Sequence, residues 1–409
     1  MINNSQGVWK KIMKLLGCVC LIAGTAIGAG MLALPITLAK FGLFYSSVLM
    51  VGTWAICYVS ALLNLELNLR AGQGLPLGAL GLHFSGKKSY LAGSASLLLL
   101  CYSLLCAYIY GGASALTTMA NFPLSFAQTL CIYAIGAGLV MLCSVRKVDI
   151  LNRFLFLGKL SVTAIILIVV LWQLDFLNLP VAAQKTLDFG DMNLALPIVF
   201  TSFGFQVVFH TLTNYTDKDP VMLKRAFFWG SLIPAISYIL WITVVCGVIS
   251  HNNAVLFEKM IFSSVEVGEI LQALCHISGS PIMHYMTWAI GFFAVLTATI
   301  GVSLGLIDAL KTKHPILNNH LVAVVAAIVP ALCVALLVPN AFIKALSFAG
   351  MILSFMALLL PMYLLICANR KEAAQKYWYP ILKNPLILFA IGGFGLWVIV
   401  SELQNLFGS

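Results

Sequence analysis

The sequence predicts an all-α polytopic membrane protein in which two of the crossings are interrupted. Three observations point there. Apolar residues make up 61% of the 409-residue chain and charged residues only 9%, against about 25% charged in a soluble domain. The apolar runs are continuous and do not alternate, which argues against a β-barrel. Two runs carry helix-breaking residues at mid-membrane depth, and in lipid a broken helix survives only where its freed backbone faces protein, ions, substrate or water.

Hydropathy marks eleven spans, at roughly 14–41, 44–70, 89–119, 124–144, 149–173, 195–215, 225–250, 282–310, 319–337, 341–367 and 385–406. Span 1 holds Gly24-Thr25-Ala26-Ile27-Gly28-Ala29-Gly30, with Pro35 a turn later. Each glycine costs a helix about 1 kcal/mol relative to alanine, so the span reads as two half-helices with an unwound joint, broken near 24–28. The second half starts near Gly28–Gly30 and turns its free N–H groups and positive dipole end toward the joint, a ready site for a carboxylate. Glu66 lies in the inner half of span 2, either paired with span 6 backbone or His210, or simply a buried structural carboxylate. The Gly-rich segment 71–88 reads as irregular.

Span 3 carries Tyr102 and Tyr108, six residues or just under two turns apart. Each fits packing or an aromatic belt as well as a ligand contact. Lys159 sits about ten residues into span 5, roughly 15 Å along a helix. That is too deep to snorkel easily, so a lysine there should face the interior and have a function. Span 6 reads Leu196-Pro197-Ile198-Val199-Phe200-Thr201-Ser202-Phe203-Gly204-Phe205-Gln206 and is broken near 201–205. Phe200, Phe203 and Phe205 flank the break as pocket-wall candidates. His210, one turn beyond Gln206, fits a packing residue or a proton relay. The loop at 251–281 carries Glu258, Glu266 and Glu269 and should contain a short amphipathic helix.

Eighteen of the 23 Lys and Arg residues fall on the side that bears the N-terminus, and only Lys185, Lys259 and Lys344 lie in loops on the other. The positive-inside rule makes the N-terminus cytoplasmic and, with an odd span count, places the C-terminus outside. The same scatter explains the net charge of +10 without nucleic acid. The 11 cysteines lie almost all in apolar runs, without zinc or redox spacing, and read as small packing residues. No metal cluster is evident, and no cleavable leader: the N-terminus runs directly into span 1.

The second interruption starts five spans after the first, and with an odd number of spans per unit the second copy must insert upside down. Either glycine cluster alone fits ordinary close helix packing. The matched pair points to an inverted-repeat secondary transporter with its site at the midplane, with 14–173 and 195–367 as the halves and 385–406 as an added span. A channel is the rival, but there is no filter-like repeat or ring of like charge. An enzyme is not expected, since no H-E-x-x-H, G-x-S-x-G or ligand cluster is present.

Four stretches in order, Gly24–Pro35 (G-T-A-I-G-A-G-M-L-A-L-P), Val148–Lys159 (V-D-I-L-N-R-F-L-F-L-G-K), Ile198–Phe205 (I-V-F-T-S-F-G-F) and Ser303–Leu310 (S-L-G-L-I-D-A-L), resemble the bacterial hydroxy and aromatic amino acid permeases. The resemblance covers nearly the whole chain. It implies the leucine-transporter-type five-plus-five inverted repeat in the bacterial inner membrane. It also implies proton-coupled import of an aromatic L-amino acid, tyrosine in first place, with a tryptophan or broad aromatic permease as the alternative. A monomer driven by the proton gradient, with no bound cofactor, is expected. The resemblance places Tyr108 at the joints and gives Lys159 the position that sodium occupies in sodium-coupled relatives. Thr297-Ala298 on span 8 matches a sodium-binding Ser/Thr pair with one hydroxyl missing, and span 7 offers no Asn for a second ion, so protons are favoured. Spans 1, 2, 6 and 7 are implied to tilt against the rest. Relatives usually carry histidine where this chain has Gln206.

Overall fold

The computed structural model describes all residues except 1, 29, 121–123, 144, 172–173, 264, 279–280, 312–314, 372–376 and 408–409. Among the described residues there is no strand, and seven helical stretches are long and apolar enough to cross a membrane unaided. Span 1 is split into α1 (Ile2–Ala26) and α2 (Gly30–Leu38). Then follow α3 (Gly42–Arg70), α4 (Leu77–Phe84), α5 (Lys87–Ala120), α6 (Phe126–Leu142) and α7 (Val145–Leu171). Span 6 is split into α8 (Phe189–Ser202) and α9 (Phe209–Tyr215). After it come α10 (Pro220–Asn252), α11 (Ala254–Phe262), α12 (Val267–Ser278), α13 (Pro281–Lys311) and α14 (His320–Leu337). Span 10 runs as α15 (Ala341–Ser354), a π-helical turn at Phe355–Leu359 and α16 (Leu360–Lys371), and α17 (Pro385–Phe407) is the eleventh span. The chain is thus an all-helical membrane protein whose first and sixth spans are discontinuous.

Two local expectations change and one is narrowed. The first break lies at the C-terminal end of the expected 24–28 stretch, at Ile27–Gly28, because α1 continues through Ala26 and the Ile27 N–H still reaches the Ala23 carbonyl at 2.8 Å. The segment 71–88 is not irregular throughout, since Pro76 caps the eight-residue α4. Its glycines serve contact instead: a Cβ on Gly81 would lie 2.7 Å from the Ser89 backbone of α5. The loop at 251–281 holds two helices, α11 and α12, instead of one.

α10 packs along α1 and α3, while α5 packs along α13 and α15. The half-helices α2 and α8 meet between these groups. A Cβ on Gly350 of α15 would lie 2.2 Å from the Pro197 carbonyl, so glycine is what lets α15 approach α8. This close approach lines up the Thr201 hydroxyl with Leu346 O of α15 at 2.9 Å.

Candidate functional site

The site begins with the carbonyls that the first break frees. Ala26 O and Ile27 O lack the i+4 N–H groups that a continuous helix would supply. Lys159 of α7, 2% exposed, points its Nζ at Ile27 O at 2.6 Å. Tyr238 of α10, fully buried, sets its hydroxyl 2.7 Å from Ala26 O and 2.7 Å from Ser202 O. One phenol therefore sits between the two joints, and its single proton serves two carbonyls. No described residue accepts from the Gly28 N–H, and α2 starts at Gly30 with its first-turn N–H groups turned toward the joint. A Cβ on Gly28 would have only Ala26 O within reach, at 3.8 Å, so the space beside it is open. Gly30 is the tight position, where a Cβ would lie 3.1 Å from Ser202 Oγ and 3.3 Å from its Cα.

The second break keeps most of its polar groups to itself. Phe203 N–H donates to Phe200 O at 3.1 Å, Gly204 N–H to Thr201 O at 3.0 Å and Phe205 N–H to Phe203 O at 2.8 Å. The Ser202 hydroxyl donates back to Ile198 O. Among the described residues Ser202 O accepts from the Tyr238 phenol alone, and a carbonyl oxygen with one donor has a second lone pair to spare.

Other candidates divide. Tyr108 of α5 is buried, at 8% exposure. No described residue bonds it, which leaves it free for a ligand. Phe203 packs edge-on against Tyr238 with ring centroids 5.5 Å apart. Phe205 packs into Phe209 and Phe227. Phe200 turns away, onto Phe394 of α17, and backs the joint instead of lining a pocket. Gly24 and Thr25 remain in helix α1, and the Thr25 hydroxyl bonds its own Ile22 and Leu21 carbonyls. Ala29 lies outside the described residues. The Thr297 hydroxyl donates within its own helix to Phe293 O at 2.7 Å. It still neighbours the Lys159 region, because Gly158 closes on the Phe293 ring, at 3.2 Å for an added Cβ.

Glu66 is not brought to His210 or to the span 6 break. Its carboxylate, fully buried, pairs with Arg70 at 2.8 Å and accepts the Trp378 and Tyr379 N–H groups, pinning the connection between spans 10 and 11. A buried carboxylate with these three donors is structurally committed. Tyr102 likewise bonds Ala326 O of α14. His210 is partly buried with its ring beside the Thr211 hydroxyl. Tyr238 is absent from the sequence-derived set; its span also carries the hydroxyls of Ser231, Ser237 and Thr243, so nothing in the sequence singled it out.

Each end of the site is tied by an ion pair between the interrupted spans. On the N-terminal side Lys14 of α1 meets Asp217 beyond α9 at 2.7 Å. On the far side Asp191 of α8 meets Lys40 at 2.7 Å and Lys185 at 2.9 Å.

The sequence profile of the tryptophan/tyrosine permease family matches residues 11–402. A tyrosine-specific transport system of Haemophilus influenzae is 31% identical over 398 residues, covering 95% of this chain and 94% of that protein. A glutamine transporter of Aliivibrio fischeri is 29% identical over 406 residues, covering 95% and 99%. Among solved structures, a manganese transporter of Eremococcus coleocola shares the fold, with a TM-score of 0.58 at 14% identity over 98% of this chain and 89% of that one.

Proposed function

The chain belongs to the tryptophan/tyrosine permease family, and within it we propose a proton-coupled symporter that imports an aromatic L-amino acid, L-tyrosine foremost, across the bacterial inner membrane. It works as a monomer, with the N-terminus in the cytoplasm and residues 14–173 and 195–367 as inverted halves. The free N–H groups around Gly28–Gly30 hold the substrate carboxylate. Ser202 O, with its spare lone pair, takes the ammonium. Tyr108 and Phe203 bound the side of the ring near the joints.

The observation that carries this reading is the 2.6 Å contact between Lys159 Nζ and Ile27 O. A protonated amine gives a charge-assisted bond to that carbonyl, about twice the strength of a neutral one. Losing the proton weakens the tie between α7 and the span 1 joint and frees α1 and α2 to tilt with α3 and α10. On this reading the lysine ammonium takes the position that the resemblance gives to sodium in sodium-coupled relatives.

Purified protein in liposomes tests this. Under an inwardly directed pH gradient without sodium, the wild type should concentrate labelled L-tyrosine, and Lys159→Met should lose gradient-driven accumulation whether or not it still binds substrate. A sodium requirement in the wild type, or accumulation by the methionine variant, sinks the proton assignment.

A further inference from the structure

Span 10 carries a third irregularity, and another helix closes it. Pro361 has no N–H to return to Ala357 O, the carbonyl one turn behind it. The helix widens there into the π-turn Phe355–Leu359, and the Leu360 N–H reaches back five residues to Phe355 O. Ala357 O is taken by span 2: it accepts from the Ser60 hydroxyl at 2.7 Å and from Asn64 Nδ2 at 3.2 Å, both on buried residues. The neighbours leave room for the wider turn. Gly395 of α17 faces it, where a Cβ would lie 3.2 Å from Leu359 and 3.3 Å from Leu358. On another side Met356 borders a cavity of about 40 Å³, lined also by Asn64, Gln206 and His210. Gln206 and His210 therefore border this cavity, which no residue of the two joints lines.

The two halves of span 10 answer to different neighbours. The outer half, α15, packs along α5, α8 and α17, and its Leu346 O holds the Thr201 hydroxyl of the second joint. The inner half, α16, packs on α3 and α4. Its tie to α3 comes from a buried cation, as Arg70 Nη1 donates to Asn369 Oδ1 at 2.8 Å. Its ties toward α4 are exposed, Ser85 with Tyr363 at 2.8 Å and Lys371 to His83 O at 3.5 Å. A bond from a buried charged donor outweighs bonds that compete with water. When α3 tilts with α1 and α10, α16 should therefore follow it while α15 stays on α5 and α8.

We propose that the π-turn is the hinge on which the inner half of span 10 swings, and that Ser60 and Asn64 are the positioning residues by which span 2 drives it. The proposal rests on the tilting helices of the transport reading above. A sharp bend in a helix falls where its hydrogen-bond ladder is already interrupted, and here the interruption lies where the helix changes partners. Removing either donor loosens Ala357 O from span 2. The inner half then lags behind the tilt, and the step that opens the site to the cytoplasm slows.

The test measures L-tyrosine uptake into proteoliposomes by the wild type, Ser60→Ala, Asn64→Leu and Ser354→Ala. Ser354 is the control, since its buried hydroxyl donates to Gly395 O at 2.8 Å and ties span 10 to α17 instead of span 2. Ser60→Ala and Asn64→Leu should each lower the maximal rate about three- to tenfold, the weight of one neutral hydrogen bond, with KM within about twofold of wild type. Ser60→Thr, which keeps the hydroxyl, should restore the rate. Ser354→Ala should lose comparable thermal stability and hold its rate within about twofold of wild type. Equal losses of rate in all three variants, or wild-type rates in Ser60→Ala and Asn64→Leu, overturn the hinge and leave the transport reading standing. Hydrogen exchange on the purified wild type needs neither a variant nor turnover. The amides of 355–360 should exchange about tenfold faster than those of 346–353 and 362–368 on either side, because a hinge opens locally. Uniform protection along span 10 overturns the hinge by itself. A wild type that carries no aromatic acid overturns the transport reading, and the exchange pattern then decides the hinge alone.

Discussion

At the span 1 joint the freed carbonyls are taken by side chains from other helices, Ile27 O by Lys159 and Ala26 O by Tyr238. At the span 6 joint they are taken mainly by the joint's own backbone, through the N–H groups of Phe203, Gly204 and Phe205, with Thr201 anchored to Leu346 O of α15. The first joint therefore depends on the state of α7 and α10, and one of its two partners is ionisable. The second is self-contained and fixed to the opposite bundle. Opening and closing should be felt first at span 1, with span 6 as the more rigid reference and the Tyr238 phenol the link between them.

The largest effect expected from this difference comes from removing the outside partners of each joint in turn. A hydrogen bond to a charged group contributes about 1.5–3 kcal/mol, so Lys159→Met should cost more than tenfold in proton-driven accumulation and abolish its pH dependence. Thr201→Val removes the anchor of the second joint. It should lower thermal stability by about 1 kcal/mol while the pH profile of uptake keeps its wild-type shape. A pH profile altered by Thr201→Val would break the comparison, because both joints would then respond to protons.

Tyr238→Phe comes next. It leaves ring packing on Phe203 intact but takes the donor from Ala26 O and Ser202 O at once. Loss of a buried neutral donor costs about 1–3 kcal/mol, so a roughly tenfold rise in the KM for substrate is expected, with the proton dependence retained. If KM is unchanged and stability alone falls, the phenol braces the helices and does not couple the joints.

The ends of the two spans sharpen the contrast further. Asp191 is nearly buried between two lysines, whereas Asp217 is 86% exposed opposite Lys14. Exposed pairs contribute little and are screened by salt. Asp191→Asn should change the rate of substrate entry from the far side several-fold, with little effect of ionic strength. Asp217→Asn should change uptake by less than about twofold, and that change should disappear in high salt. Equal effects from the two substitutions would mean that the ends are equivalent locks.

Much of this arrangement was legible in the sequence. Both breaks followed from glycine and proline placed inside apolar runs, and Lys159 followed from the cost of a cation at that depth. The first break fell at the C-terminal end of the expected 24–28 stretch because helix α1 tolerates Gly24, and glycine content does not say which of several glycines ends the helix. The sequence left Glu66 open between two roles, of which the structural one holds, because its partners, the Trp378 and Tyr379 amides, lie about 310 residues away and are main-chain groups with no signature. It could not see that Phe200 faces α17, since three phenylalanines within six residues look alike until the helix direction is known. Tyr238 was invisible for a related reason. Its importance comes from touching two freed carbonyls that are 176 residues apart, at Ala26 and Ser202.

The smallest expected effect concerns the loop that caps the far side. Glu266 lies between α11 and α12, where its carboxylate accepts from the hydroxyls of Tyr110 at 3.1 Å and Ser114 at 3.4 Å of α5. Burial pushes its pKa above the ordinary value, with Glu269 adding to the rise and the two hydroxyls and Lys259 opposing it. A carboxyl whose pKa is raised on folding holds its proton more firmly in the closed loop than in the open one. The loop therefore keeps its full stability below the ordinary carboxylate range and loses part of it as pH rises toward the raised value. Glu266 is only about half buried, so solvent screens most of the effect. Amide exchange over 265–270, corrected for its intrinsic pH dependence, should quicken about two- to threefold across that window, and Glu266→Gln should flatten the response. Exchange that slows with rising pH, or a glutamine variant that responds as the wild type does, would show that Glu266 does not set the pH response of this loop.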